Sequence, residues 1–306
     1  MEPRCDGPAG RVRVSRETMD LTQLIQILIF GLVDGSVIAV GAVGLTLSYG
    51  ITRFINFAYG EFLSYGAFLT LFVSEYGIGL PAAGAIAIAG IGVLGVGVAR
   101  TFYDPLSDRG PIALLITSIG VSFMLRHLLR AGIGTEARQF DVPLVRPWTI
   151  WELHVSPISI GVFIVAVLTM IGIHLLLQRT MLGKKMRATS SNQQLAVVSG
   201  INTDSVVARS WFISAAIGAL CGILLGLQFP PFRPTMGWDF LVVVFAATIL
   251  GGIGRPYGAV AGSLIVGVAM SAGSFYVSSE YTFAYAFAIL VIALLVRPEG
   301  LVRGEF

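Results

Sequence analysis

The chain has 306 residues, of which 55% are hydrophobic and 12% charged. Soluble domains carry about 25% charged residues, so a globular surface could not be covered, and the composition points to an integral membrane protein. The formal net charge of +3, with no basic run interleaved with aromatics, gives no sign of a nucleic-acid partner.

Residues 1–20 are polar, with Glu2, Asp6, Glu17 and Asp20 offsetting the arginines, and are expected to form a mobile tail. The apolar stretch that follows is too long for a signal-peptide core. A helix needs roughly 20 apolar residues to cross the hydrocarbon. Candidate spans are 24–49, 54–74, 80–99, 111–131, 158–178, 207–228, 238–253, 257–277 and 281–296. The expected fold is therefore all-α: a polytopic transmembrane helix bundle of eight or nine spans, with residues 21–306 as one domain. Span 238–253 is short, and 54–74, with its polar insert, is the candidate for a broken or re-entrant segment. The 37 glycines suit close helix packing in lipid. Gly218, Gly222 and Gly226 recur every four residues, as do Gly254, Gly258 and Gly262, and each set is expected on one helix face. No tandem repeat of fixed period is visible.

Asp34, in "GLVDGS", is expected to cap or bend the first helix. The stretch "TRFINFAYGEFL" (52–63) places Asn56, Tyr59 and Glu61 in an apolar run. In a helix over 54–74 entering from the cytoplasm, Glu61 would sit roughly 10–15 Å deep. An ionised carboxylate there must face protein, a water-filled cavity or a partner. Glu61 and Tyr65 share one helix face; Asn56 and Gly60 share another, or Asn56 caps a broken helix. Two readings stand side by side. Asn56, Tyr59, Glu61 and Tyr65 line a translocation path with Glu61 near a cationic group on the cargo, or they form a hydrogen-bond network between helices.

Two polar segments interrupt the spans. Residues 132–157 hold Arg138, Asp141, Arg146, Trp148, Trp151 and Glu152, and the tryptophans suit a membrane interface. Residues 179–206 hold Arg179, Lys184, Lys185 and Arg187, the densest basic cluster, which the positive-inside rule places in the cytoplasm. Nine crossings then put the N-terminal tail outside and divide the 20 Lys and Arg almost evenly. A re-entrant 54–74 would instead put the tail inside.

Within the cytoplasmic segment, Ser190 or Ser191 can cap a short helix and Gly200 can end it in the left-handed conformation. Leu195 and Val198 share a face beside Ala196. The result is a small apolar knob suited to a groove on a soluble partner or to lying on the membrane.

These stretches together resemble a known family. "QLAVVSG" (194–200) is similar to the loop motif of ABC-importer permeases, Glu-Ala-Ala, three residues, then Gly: Ala196 and Gly200 match, while Gln194 and Leu195 depart from it. "GINTD" (200–204), "INFAYGEF" (55–62), "ILGGIGRPYGAVAG" (249–262) and "RPEGL" (297–301) resemble branched-chain amino acid permeases of the LivH type, in order and spacing from about residue 24. Tyr59 stands where that family usually has histidine. A phenol, with its ordinary pKa near ~10, stays neutral where an imidazole could switch, so a proton-linked role is not carried over.

The resemblance implies a permease subunit. Its partners would be a second related permease, two cytoplasmic ATPases and an extracytoplasmic binding protein that delivers the small-molecule substrate. Cargo would be branched-chain or related neutral amino acids, with urea or short amides as the alternative. The ATPases would push on Gln194, Leu195, Ala196, Val198, Gly200 and Ile201, and localisation would be the cell (inner) membrane.

Other classes are less well supported by the residues. No Gly-x4-Gly-Lys-Ser/Thr loop is present, so the chain is not expected to hydrolyse ATP. An ion-coupled secondary transporter would need Glu61 as its coupling group. A membrane enzyme would need a nucleophile elbow, a His-Glu-x-x-His or a paired-acid motif, and none occurs. His127, His154 and His174 have no metal-ligand spacing, and Cys5 and Cys221 read as unpaired. No metal, cofactor or catalytic residue is expected.

Overall fold

The structure is a computed structural model describing residues 21–142, 148–150, 153–278, 281–296 and 300. The N-terminal tail with Cys5, and Arg146, Trp151, Glu152 and most of "RPEGL", lie outside the described residues.

Eleven α-helices are described: α1 Leu21–Thr52, α2 Tyr59–Glu75, α3 Leu80–Val98, α4 Pro111–Ile133, α5 Pro157–Arg179, α6 Met181–Ser191, α7 Gln193–Val198, α8 Thr203–Gln228, α9 Met236–Gly251, α10 Pro256–Tyr276 and α11 Thr282–Val296. Each of the nine predicted spans falls on one of them. Among the described residues, six segments are long and apolar enough to cross a membrane on their own: Gln23–Thr52, Leu80–Arg109, Pro111–Ile133, Pro157–Arg179, Thr203–Gln228 and Pro256–Tyr276. The polar segment 132–157 contributes a small antiparallel ribbon, β1 (Trp148–Ile150) with β2 (Leu153–Val155), outside the helical bundle.

Local chemistry explains these boundaries. Helices α3, α4, α5 and α10 each carry proline in the first turn, where its missing N–H costs no hydrogen bond. Helix α3 continues through a π turn (Ala99–Tyr103) into a 3-10 turn (Asp104–Arg109) that contains Pro105 and ends at Gly110. Hydroxyls inside α1 return their protons to the helix's own carbonyls: Ser36 to Val33, Thr46 to Ala42, Ser48 to Leu45 and Thr52 to Ser48. These four hydroxyls therefore present no loose donor to an apolar surrounding.

Helix contacts reveal an internal correspondence that no fixed period exposed. A long helix (α1), an irregular stretch (53–58), a short helix (α2) and two further helices (α3, α4) are matched by α8, the stretch 229–235, α9, α10 and α11. The packing is reciprocal: α1 lies against α10 and α3 against α8, α2 against α8 and α9 against α1. The halves run in opposite directions. The Thr52 end of α1 is tied to α6 by Ser190 Oγ donating to Gly50 O, and α8 begins from that same α6–α7 face. At the opposite face, Arg138 pairs with Glu75 at the end of α2 and bridges to Phe232 just beyond α8. Helix α1 therefore begins at the face opposite α6 and α7, and residues 53–75 pass from one face to the other. Span 54–74 is broken but not re-entrant.

Helix α2 sits in the middle. Tyr59 to Ser64 are all buried, and the helix packs on α3, α4, α8 and α9. Missing side chains permit this. A Cβ on Gly222 would run into the Leu63 carbonyl, and one on Gly237 into the Gly60 carbonyl. Gly218 lies against Tyr59 and Phe62, and Gly226 against Phe140 and Phe232, so the α8 glycine stripe packs as its spacing predicts. The second stripe is corrected at one position. Gly254 precedes α10 and takes φ +85° in the turn after α9, so only Gly258 and Gly262 belong to that helix.

Candidate functional site

Two places carry the residues singled out by sequence: the centre of the bundle, where α2 begins, and the hook formed by α6 and α7.

At the centre, residues 54–58 are not helical, which corrects the helix expected over 54–74. Arg53 has φ +56°, and the chain then climbs into the bundle as coil. Coil inside a membrane needs side chains to satisfy its backbone. Here Asn56 Oδ1 accepts the Ala58 N–H at 3.0 Å, and Ser118 Oγ of α4 accepts the Phe57 N–H at 3.2 Å. Asn56 Oδ1 also accepts the Tyr103 hydroxyl at 3.1 Å, while its Nδ2 is buried with no partner among the described residues. Asn56 therefore lies ahead of α2 rather than on a shared face with Gly60; Ala58 is the residue at the cap.

Tyr59 is fully buried and donates to Gly41 O at 2.9 Å. Glu61 is also fully buried, and its Oε1 collects three donors from α4: Ser122 Oγ at 2.9 Å, Arg126 Nε at 3.0 Å and Arg126 Nη2 at 2.6 Å. Glu61 Oε2 has no hydrogen-bond partner among the described residues. Tyr65 donates to Leu125 O at 2.8 Å. Glu61 and Tyr65 do share a face, and it is turned to α4. The cation beside Glu61 belongs to the chain itself.

Arg126 was not picked out from sequence, yet the signal existed. Ser118, Ser122 and Arg126 recur every fourth residue inside an apolar span, and an intramembrane arginine is as costly as an intramembrane carboxylate. All three face the start of α2. The Arg126 guanidinium is covered by the ring of Trp238 at 4.3 Å and that of Phe123 at 5.4 Å. Trp238 is in the first turn of α9, so this cation joins α4, α2 and α9. Next to it, Gly237 N donates to Ser64 Oγ at 3.0 Å.

Asp34 on α1 accepts from Gln228 Nε2 at 3.1 Å, and Gln228 Oε1 accepts from Ser159 Oγ at 3.0 Å. This chain of bonds ties α1, α8 and α5 near the face opposite the hook.

The hook starts at Thr180, whose Oγ1 accepts the Gly183 N–H. Helix α6 runs on through Ser191, so the cap of α7 is Asn192, not Ser190 or Ser191. Asn192 Oδ1 accepts the Leu195 N–H at 2.9 Å. Helix α7 closes with Gly200 at φ +80°: Ile201 N donates to Ala196 O and Gly200 N to Val197 O, the paired bonds of a Schellman motif. Ala196 is buried and Ile201 half-buried, and both hold the hook down. Gln194 is exposed, as are Leu195 (63%), Val197 (54%) and Val198 (84%). The knob therefore has three apolar side chains, one more than expected. Arg53 Nη2 donates to Ser190 O at 2.6 Å, which joins the hook to the first residue of the α1–α2 break.

A polytopic bundle with a central broken helix pair and a rigid apolar hook defines a multi-pass membrane transport subunit. Residues 27–296 match the model of the family described as branched-chain amino acid transport system / permease component, and the chain belongs to that family. It is 30% identical over 298 residues to the high-affinity branched-chain amino acid transport system permease protein BraD of Pseudomonas aeruginosa, covering 92% of this chain and 96% of that one. It is 31% identical over 291 residues to the permease LivH of Escherichia coli K12, covering 90% and 94%. A solved structure, PsaBC from Streptococcus pneumoniae in complex with Fab, aligns over 92% of this chain and 94% of that chain at TM-score 0.49 and 15% identity.

Proposed function

We propose that the chain is one permease subunit of an ABC importer in the cell membrane and carries branched-chain or similar neutral amino acids. In this reading it pairs with a second, related permease, receives cargo from an extracytoplasmic binding protein, and is driven by two cytoplasmic ATPases. The observation that carries the reading is the α6–α7 hook. Its apolar tip is exposed on a helix closed at both ends, and its root is bonded to the break between α1 and α2. Three exposed aliphatic residues on a helix so firmly closed suit a groove on a soluble partner.

The mechanism follows from the connections. An ATPase groove holds Leu195, Val197 and Val198. Movement of that groove shifts α6, and the Ser190 bonds to Arg53 and Gly50 pass the shift to residues 53–58. That segment is coil, so it can change dihedral angles without breaking a helical ladder. It enters α2 at the point where α2 meets α4 and α9, so its motion alters the contact between the two halves. This is alternating access by displacement of one repeat against the other.

Glu61 argues against the ion-coupled alternative. It is fully buried and held by Arg126, where a coupling carboxylate would need access to ions from either side. In this reading Asn56, Tyr59, Glu61 and Tyr65 set the shape of the path from behind rather than touch the cargo.

The test is uptake of labelled leucine and of urea into membrane vesicles holding the complete importer, with and without Val198→Asp. The reading expects ATP-dependent leucine uptake that falls to background in the variant, because a charge cannot enter an apolar groove. Unchanged uptake in Val198→Asp would remove the hook from the mechanism, and uptake of urea alone would change the cargo.

A further inference from the structure

Asp239 is the one acidic residue of α9, sits in its first turn, and is exposed with no hydrogen bond or ion pair to its side chain among the described residues. Its position along the bundle makes this informative. Gly237 touches Gly60, and Tyr59 reaches the carbonyl of Gly41, eleven residues along α1 from Thr52. At 1.5 Å per residue that is about 16 Å, half of a ~30 Å hydrocarbon core. A carboxylate left bare at that depth cannot face lipid cheaply, so it faces water, a polar solute or the second permease of the importer.

Its surroundings are specific. Trp238, the preceding residue, covers the Arg126 guanidinium. Phe57 and Phe123 stand 6.2 Å from the Trp238 ring, and Phe245 is 5.3 Å from Phe57. Phe57, Trp238 and Phe245 are half-buried and Phe123 is 47% exposed, so this aromatic wall, which includes the residue preceding Asp239, reaches the surface. Arg126 binds Glu61 through Nε and Nη2 only, and Nη1 has no hydrogen bond among the described residues. Glu61 offsets the charge of Arg126, and Asp239 has no ion pair of its own among the described residues. An unpaired carboxylate can take a cationic group, and the aromatic wall can take an apolar one.

We propose that the outer face of the first turn of α9 is a contact station for zwitterionic apolar amino acids, with Asp239 taking the α-ammonium group, the Phe57–Phe123–Phe245 wall the side chain, and Nη1 of Arg126 the carboxylate. The proposal rests on the importer function above and names where within this subunit the cargo is met.

Two measurements on the complete importer in its own membrane test this. In a chain carrying Cys5→Ser and Cys221→Ala, Asp239→Cys should react with a membrane-impermeant trimethylammonium thiosulfonate. Absence of reaction would put the position in lipid or a closed interface and overturn the proposal. In the second, Asp239→Asn should lower the initial rate of leucine uptake about tenfold or more, the size expected for losing a charged hydrogen bond. Asp239→Glu should keep most of the rate, and ATPase association should be unchanged in both. Equal uptake by wild type and Asp239→Asn overturns the role of Asp239 alone. A wild-type importer that moves leucine neither with nor without ATP overturns the function from which the proposal starts.

Discussion

Glu61 and Arg126 illustrate how a polar pair is held at membrane depth. Removing one partner of a buried ion pair leaves the other charge uncompensated and costs about 3–5 kcal/mol, whereas replacing both by apolar residues is often neutral. Glu61→Leu alone should therefore lower the melting temperature of the purified complex markedly, and Arg126→Met alone should do the same. The double variant should recover most of that loss, read as a double-mutant cycle in thermal unfolding. If the pair only braces helices, leucine uptake recovers with stability. If Arg126 meets the cargo, stability recovers and uptake does not. Tyr59→Phe is a milder test of the same region. It removes the bond to Gly41 O and leaves that carbonyl in the first helix without its extra donor, so a loss of about 1 kcal/mol in stability is expected with the fold intact.

Among the elements, α2 and α9 depend most on what their neighbours lack. Each begins inside the bundle, and they meet through Gly60 and Gly237, where a methyl group would strike backbone. Overpacking of this kind typically costs about 1–3 kcal/mol. Gly237→Val should exceed that range and reduce the amount of folded subunit recovered from membranes, measured against Gly120→Ala, whose added methyl meets open space. At the hook, Gly200→Val forces a β-branched residue to φ +80° and disrupts the Schellman closure. That variant should insert normally while ATP hydrolysis continues without transport. Arg53→Ala, which removes the tie to Ser190, should uncouple in the same way though less completely. Normal coupling in Arg53→Ala would mean that force reaches the centre by another route, such as the Ser190 bond to Gly50.

At the scale of the whole molecule, hydropathy read the architecture well. All nine apolar windows became helices, because in hydrocarbon a run of apolar residues has no other way to satisfy its backbone. The hook was also legible, since Gly200 has the local chemistry of a left-handed helix end. What escaped is relational. Residues 54–58 read as helix because their composition is apolar; they are coil because Ser118 of α4 and Asn56 take the backbone bonds that a helix would have used. Arg126 lay within an apolar span, and its place opposite Glu61 depends on a pairing 65 residues away. The inverted correspondence of α1–α4 with α8–α11 resides in helix lengths and contacts, which a search for fixed periods does not sample.

The central claim is that this subunit is passive and moves only when force arrives at α7. The direct measurement is leucine accumulation in proteoliposomes containing either the purified chain alone or the complete importer, each challenged with ATP and, separately, with proton and sodium gradients. The account predicts accumulation only in the complete importer and only with ATP inside the cytoplasmic compartment. Accumulation by the chain alone under an ion gradient would contradict it.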